Sequence, residues 1–248
     1  MNRLLVVGLL LLIIVAAFGF VVLKSQANGS EDNYFNQELR ARFAAYPLLR
    51  SILNLRYDGD ARADYLGDSF EKIVIEVDSM ENIDVHYESL DLLQDRVKEI
   101  TGKQTVYVIS DSNIPYTQTV DDAALADLTL KYRNRKSGGD AAALYVLYVS
   151  REDSKPDLLG STHEEYGIVL FYDTVADFTK GNTSVLRSYE GSTLLHEFGH
   201  QIGLPHNSDE GCLMNETADQ GQVLYEDAGE VVTDFCEYEL NQILSTKS

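Results

Sequence analysis

The stretch Leu194 to His206, reading LLHEFGHQIGLPH, constrains this chain more than any other. At average residue usage, the five fixed letters of H-E-x-x-H-x-x-G-x-x-H would arise by chance in roughly one chain of this length in ten thousand. On a helix, His196 and His200 lie one turn apart on one face, so both imidazoles can reach a single ion at about 2.0–2.1 Å. Glu197 sits beside them. If the helix ran on, His206 would lie about 15 Å along the axis from His196, far beyond any shared metal bond. The chain must therefore turn back. Gly203 can supply a left-handed helix end, and Leu204, preceding Pro205, is pushed out of the helical region. His206 can then return as a third ligand.

A helix whose histidines are packed in the core or merely solvated is the plainer alternative. At about 100° per residue, Leu194, Leu195, Phe198 and Ile202 share one arc, and the His196–His200 pair is centred roughly 170° from it. Core histidines would share the apolar arc, and a solvated face has no need of Glu197 or of the Gly-x-x-His ending. Three neutral imidazoles leave a Zn2+ ion its charge and an open fourth position, where water becomes acidic near neutral pH. Glu197 is placed to take the proton, direct the water onto a peptide carbonyl and pass the proton to the departing amine. The expected assignment is one catalytic zinc held by His196, His200 and His206, Glu197 as general base, and a peptide or protein substrate.

These residues resemble the signature of the metzincin clan of zinc metallopeptidases at every fixed position. Downstream, Cys212-Leu213-Met214-Asn215 is similar to the methionine-containing turn that metzincins place beneath the zinc, which implies that Met214 is a hydrophobic floor and not a ligand. His-Glu-Phe-Gly-His and Gly-Leu-Pro-His resemble matrixins, which have Ser where this chain has Asn207. The interval from His206 to Cys212-x-Met214, and Phe235-Cys236 opening a C-terminal helix, resemble archaemetzincins. That family carries four cysteines for a second zinc. Here Asn207 replaces the first and Glu239 stands three places after Cys236, so a second zinc is not expected. No tyrosine follows Met214 at two positions, so the extra tyrosine ligand of astacin-like enzymes is not expected either. The resemblance implies an α/β (α+β) zincin: a twisted, mostly parallel sheet backed by helices, an active-site helix, a Met-turn and a small C-terminal helical subdomain. It also makes the stretch Gly167 to Tyr172 the edge strand, where an extended substrate adds as a further strand.

Leu4 to Leu23 is twenty consecutive residues without a polar side chain, long enough for a hydrocarbon core of about 30 Å. With Arg3 before it and Glu31 and Asp32 after Lys24, it reads as an N-terminal transmembrane anchor. The N-terminus would then be cytoplasmic and the domain extracytoplasmic; secretion after cleavage near Ser25-Gln26-Ala27 is the alternative. The expected division is residues 1–27 anchor or signal, 28–57 juxtamembrane helical segment, and 58–248 peptidase domain. Within 28–57, Phe35, Leu39 and Phe43, then Pro47, then Leu48, Leu49, Ile52 and Leu53 predict two short helices with a break between. They read as an ordinary packed segment or as a stalk or pro-segment.

Asp58, Asp60, Asp64 and Asp68 make calcium conceivable, but match no full EF-hand pattern, and a solvated loop is expected. Solvated loops are also expected around His86 and His163-Glu164-Glu165. KIVIEV (72–77), TVYVI (105–109), ALYVLYV (143–149) and GIVLFY (167–172) read as strands. Interleaved with helices over 90–100 and 121–135, they predict an α/β layer with a mostly parallel sheet. Cys212 and Cys236 read as a disulfide in an oxidising compartment, closing a loop worth roughly 3 kcal/mol, or as two free thiols. A net charge of −20 excludes nucleic acid as a natural partner. Two other functions remain open: a catalytically silent zinc-binding module, and a thermolysin-type zincin with Glu226 as third ligand.

Overall fold

The computed structural model describes residues 3–27, 33–35, 39–44, 46–53, 55, 61–163, 167–209, 211–215 and 231–245. A five-stranded sheet organises it, in the order β2-β1-β3-β5-β4. The strands are β1 (Lys72–Ser79), β2 (Gln104–Ile109), β3 (Ala141–Val149), β4 (Gly160–His163) and β5 (Gly167–Phe171). All neighbours are parallel except β4, which runs antiparallel to β5. The parallel pairs follow from helical crossovers, α5 (Tyr87–Thr101) between β1 and β2 and α6 (Asp122–Tyr132) between β2 and β3. β3 is buried along almost its whole length, as a central parallel strand covered on both faces must be. The interleaved strands and helices predicted from sequence form this layer.

After the sheet come α7 (Tyr172–Phe178), α8 (Thr183–Gln201) and, near the C-terminus, α9 (Glu237–Ser245). α8 packs on α5 and along β4 and β5. Gly191 makes the α5 contact possible, since a Cβ there would stand 2.7 Å from Leu92 Cδ2. One residue earlier, the fully buried Glu190 binds His86 Nδ1 at 2.9 Å and accepts from Ser89 Oγ at 2.8 Å. The expected solvated histidine at position 86 is thus the residue that precedes α5 and ties it to α8.

The N-terminal expectation requires correction. α1 (Arg3–Ala27) is helical, but among the described residues no helix is long and apolar enough to cross a membrane. The end of α1 is docked on the chain itself: Ala27 is buried with Phe35, Leu53 and Leu55, and Arg40 Nη1 donates to the Ala27 carbonyl at 2.8 Å. Neither the membrane anchor nor the extracytoplasmic placement read from it stands. The break at Pro47 does separate two short helices, α2 (Arg40–Ala44) and α3 (Pro47–Leu53).

The acidic stretch also differs from a solvated loop. Asp58 and Asp60 lie outside the described residues, while Asp64 is buried in α4 (Arg62–Leu66). The cation held there is the chain's own: Lys103 Nζ donates to the carbonyls of Asp64 (3.1 Å), Gly67 (2.5 Å) and Phe70 (2.7 Å). Tyr65 of α4 is fully buried, its ring centroid 5.7 Å from that of Phe198 on α8. Tyrosine and leucine on one turn were the signal that this segment packs.

Candidate active site

α8 opens on Asn182, whose side chain accepts from Val185 N, and its length from Tyr189 to Gln201 is buried. Leu194, Leu195, Phe198 and Ile202 enter the main core. His196 and His200 point away from that arc, yet are only 2% and 6% exposed, because the chain after the helix folds back over them. The reversal occurs at Gly203, whose φ of 87° is left-handed. Its N–H bonds the His200 carbonyl, and Leu204 N–H bonds the Gly199 carbonyl at 2.9 Å, closing the helix end. His206, solvent-exposed, then meets the helix pair.

The three Nε2 atoms stand 3.1 Å (His196–His200), 3.2 Å (His196–His206) and 3.0 Å (His200–His206) apart. These are not all hydrogen bonds. His196 Nδ1 donates to the Leu213 carbonyl at 2.7 Å, and His200 Nδ1 donates to the Leu204 carbonyl at 2.9 Å. A carbonyl only accepts, so in the neutral ring Nδ1 carries the proton and Nε2 keeps its lone pair. The lone pairs of His196 and His200 face each other at 3.1 Å, and bonds of about 2.0–2.1 Å from three nitrogens to one zinc demand separations of this size. The donor set fits zinc. Three imidazole nitrogens, with carbonyls orienting two of the rings, is also the shell expected of a metal site.

Glu197, 2% exposed, lies against the edge strand: a Cβ at Gly160 of β4 would come 3.2 Å from Glu197 Cγ and 2.5 Å from Thr193 Cγ2. Gly160 thus lets β4 lie directly on α8 beside the carboxylate. This revises the expected edge. β5 (Gly167–Phe171) pairs with β3 on one side and β4 on the other, so the edge on this side is Gly160–His163. β4 is short and polar, GSTH, and offers no hydrophobic run to read from sequence. His163 belongs to it, while Glu164 and Glu165 lie outside the described residues.

Beneath the triad runs the turn containing Cys212, Leu213, Met214 and Asn215. Asn207 N–H donates to the Met214 carbonyl at 2.8 Å, joining the chain after His206 to this turn. Met214 is fully buried, and a Cβ at Gly199 would lie 2.3 Å from its Sδ. Gly199, between the two helix histidines, is therefore what admits the methionine. Cys212 and Cys236 are bonded, with Cα atoms 5.0 Å apart. Glu239 of α9, 1% exposed, accepts from Asn207 Nδ2 (2.8 Å), Met214 N (2.7 Å), Leu213 N (3.3 Å) and Cys236 N (2.9 Å). Gly160 and Gly199 escaped the sequence reading, and Glu239 entered it only as the residue three places after Cys236. The Gly inside the His-to-His interval was the one available signal. Glu226 lies outside the described residues, and the place of a third nitrogen is filled by His206.

Comparison with known proteins agrees with this geometry at the level of fold. No protein-family model and no curated protein sequence matches the chain. Among solved structures, it is similar to an archaemetzincin from Methanopyrus kandleri, with 19% identity and a TM-score of 0.53, over 72% of this chain and 96% of that one. It is also similar to a zinc-dependent peptidase from Methanocorpusculum labreanum, with 15% identity and a TM-score of 0.50, over 68% of this chain and 99% of that one. The chain thus has an archaemetzincin-like fold. The matrixin-like letters remain a local feature of its helix.

Proposed function

We propose that this chain is a zinc-dependent endopeptidase, with residues 58–248 as its catalytic unit. The observation that carries the reading is the meeting of three imidazole Nε2 atoms within 3.2 Å, with Glu197 on the same turn of α8. Two structural relatives, named as an archaemetzincin and a zinc-dependent peptidase, support it. His196, His200 and His206 would hold the ion, which when bound supplies Lewis acidity and makes water acidic near neutral pH. Glu197 accepts a proton from water and returns it to the departing amine, its side-chain stem packed against Gly160 of β4. The β4 edge offers backbone groups for an extended peptide to pair with, beside that carboxylate. The buried Met214 forms the apolar floor under the rings and contributes no ligand.

Digestion of a peptide library, with and without chelator, tests this. Wild type should cleave only with zinc. Glu197→Ala should retain zinc and lose hydrolysis by at least about 100-fold, and His200→Ala should lose both. Zinc-bound wild type that leaves every peptide intact would support the silent zinc-binding module instead. Cleavage by Glu197→Ala at the original rate would remove Glu197 as the base.

A further inference from the structure

We infer that Glu239 is the positioning residue of the metal-binding triad, its single buried carboxylate fixing His196 through one peptide group and His206 through Asn207. The inference rests on the zinc reading above and extends it to a residue on a different helix. The route to His196 is one peptide bond long. The Met214 N–H donates to Glu239 Oε1 at 2.7 Å, and the Leu213 carbonyl of the same peptide unit accepts from His196 Nδ1 at 2.7 Å. A carboxylate at one end of a peptide group polarises it, so the carbonyl at the other end becomes a stronger acceptor. The imidazole Nδ1–H is held in its tautomer, which leaves the Nε2 lone pair for the ion.

The same oxygen serves the second ring. Oε1 accepts from Asn207 Nδ2 at 2.8 Å, and Asn207 is the next residue after His206. Asn207 also donates its backbone N–H to the Met214 carbonyl, so it is tied both to Glu239 and to the turn beneath the triad. Oε2 accepts from Leu213 N and Cys236 N, which ties this arrangement to the disulfide. Two carboxylate oxygens offer about four acceptor positions, and four donors occupy them. No neutral side chain of this shape can replace it, because an amide has only one accepting atom. Glu239, Asn207 and the Cys212–Cys236 bond together hold the Met-turn, the third histidine and the C-terminal helix in one fixed relation.

The test uses the full chain with its disulfide intact. Zinc affinity is read by competition with a chromophoric chelator, the site's geometry by the visible spectrum of the cobalt-substituted protein, and folding by the melting temperature of the metal-free form. Glu239→Gln should bind zinc about 10–100-fold more weakly, with a shifted cobalt spectrum. Unchanged affinity in Glu239→Gln, or weakened affinity with an unchanged cobalt spectrum, overturns the inference. Should Glu239→Gln not fold, Asn207→Ala decides. It removes one donor and leaves the three backbone bonds, so zinc should bind several-fold more weakly, and equal binding overturns the inference. Wild type that binds no zinc instead overturns the metal reading itself, a separate result.

Discussion

Gly199 shows how much of the site hangs on an absent side chain. Any Cβ there would stand 2.3 Å from Met214 Sδ and 3.0 Å from Phe235 Cε1, both in buried residues, so one of them must move. Gly199→Ala improves helix propensity, which alone favours stability by up to about 1 kcal/mol. Overpacking outweighs it, and a net loss of about 1–3 kcal/mol is expected from thermal unfolding, with weaker zinc binding as the turn is displaced. A variant as stable as wild type, with undiminished zinc affinity, would show that Met214 repacks freely. Gly160 follows the same logic, but there one neighbour is the Val169 backbone carbonyl, 3.1 Å from the hypothetical Cβ, which yields less readily than a side chain.

Among the elements, those with a strong periodic pattern were legible from sequence and those set by tertiary contact were not. The predicted β1, β2, β3 and β5 all form, and α8 carries the Leu194–Gln201 part of the motif as a helix. β4 was missed because four polar residues gain their strand conformation by pairing with β5 and lying on α8, which no local window records. α4 was obscured by its aspartates, although Leu66 is buried and Tyr65 packs against Phe198 of α8. The site divides similarly. The triad and Glu197 are written in one short stretch, whereas Glu239 lies 32 residues from Asn207 and only folding brings them together. The link from the Met-turn to α9 carries its own prediction. Reducing Cys212–Cys236, whose partners are 24 residues apart, should destabilise the chain by roughly 3 kcal/mol in the chain-entropy model. Comparison of melting temperatures with and without reductant checks this, and identical values would show that the Glu239 hydrogen bonds suffice.

The molecule as a whole is strongly acidic, with 40 Asp and Glu against 20 Lys and Arg. Several of its carboxyls are buried, Asp78 and Glu190 most completely. Burial holds the pKa of Asp78 and of Glu190 above the ordinary range, the second despite its bonds to His86 and Ser89. Groups raised in this way bind protons more tightly folded than unfolded. Their stabilising contribution is complete below the ordinary carboxyl pKa, near pH 4, and is lost as pH rises through the raised values. Asp78 is the sharper case: it is fully buried, and burial outweighs the opposing effect of the Ser112, Tyr145 and Ser110 hydroxyls beside it. Asp78→Asn should therefore raise the melting temperature at pH 8 and leave it nearly unchanged at pH 4. An equal shift at both values would mean that the gain does not come from removing the charge. The exposed His206 has a last consequence at this scale. With two rings sealed inside and one at the surface, loading and loss of the ion share a doorway on the loop side, so exchange kinetics answer to that loop before equilibrium affinity does.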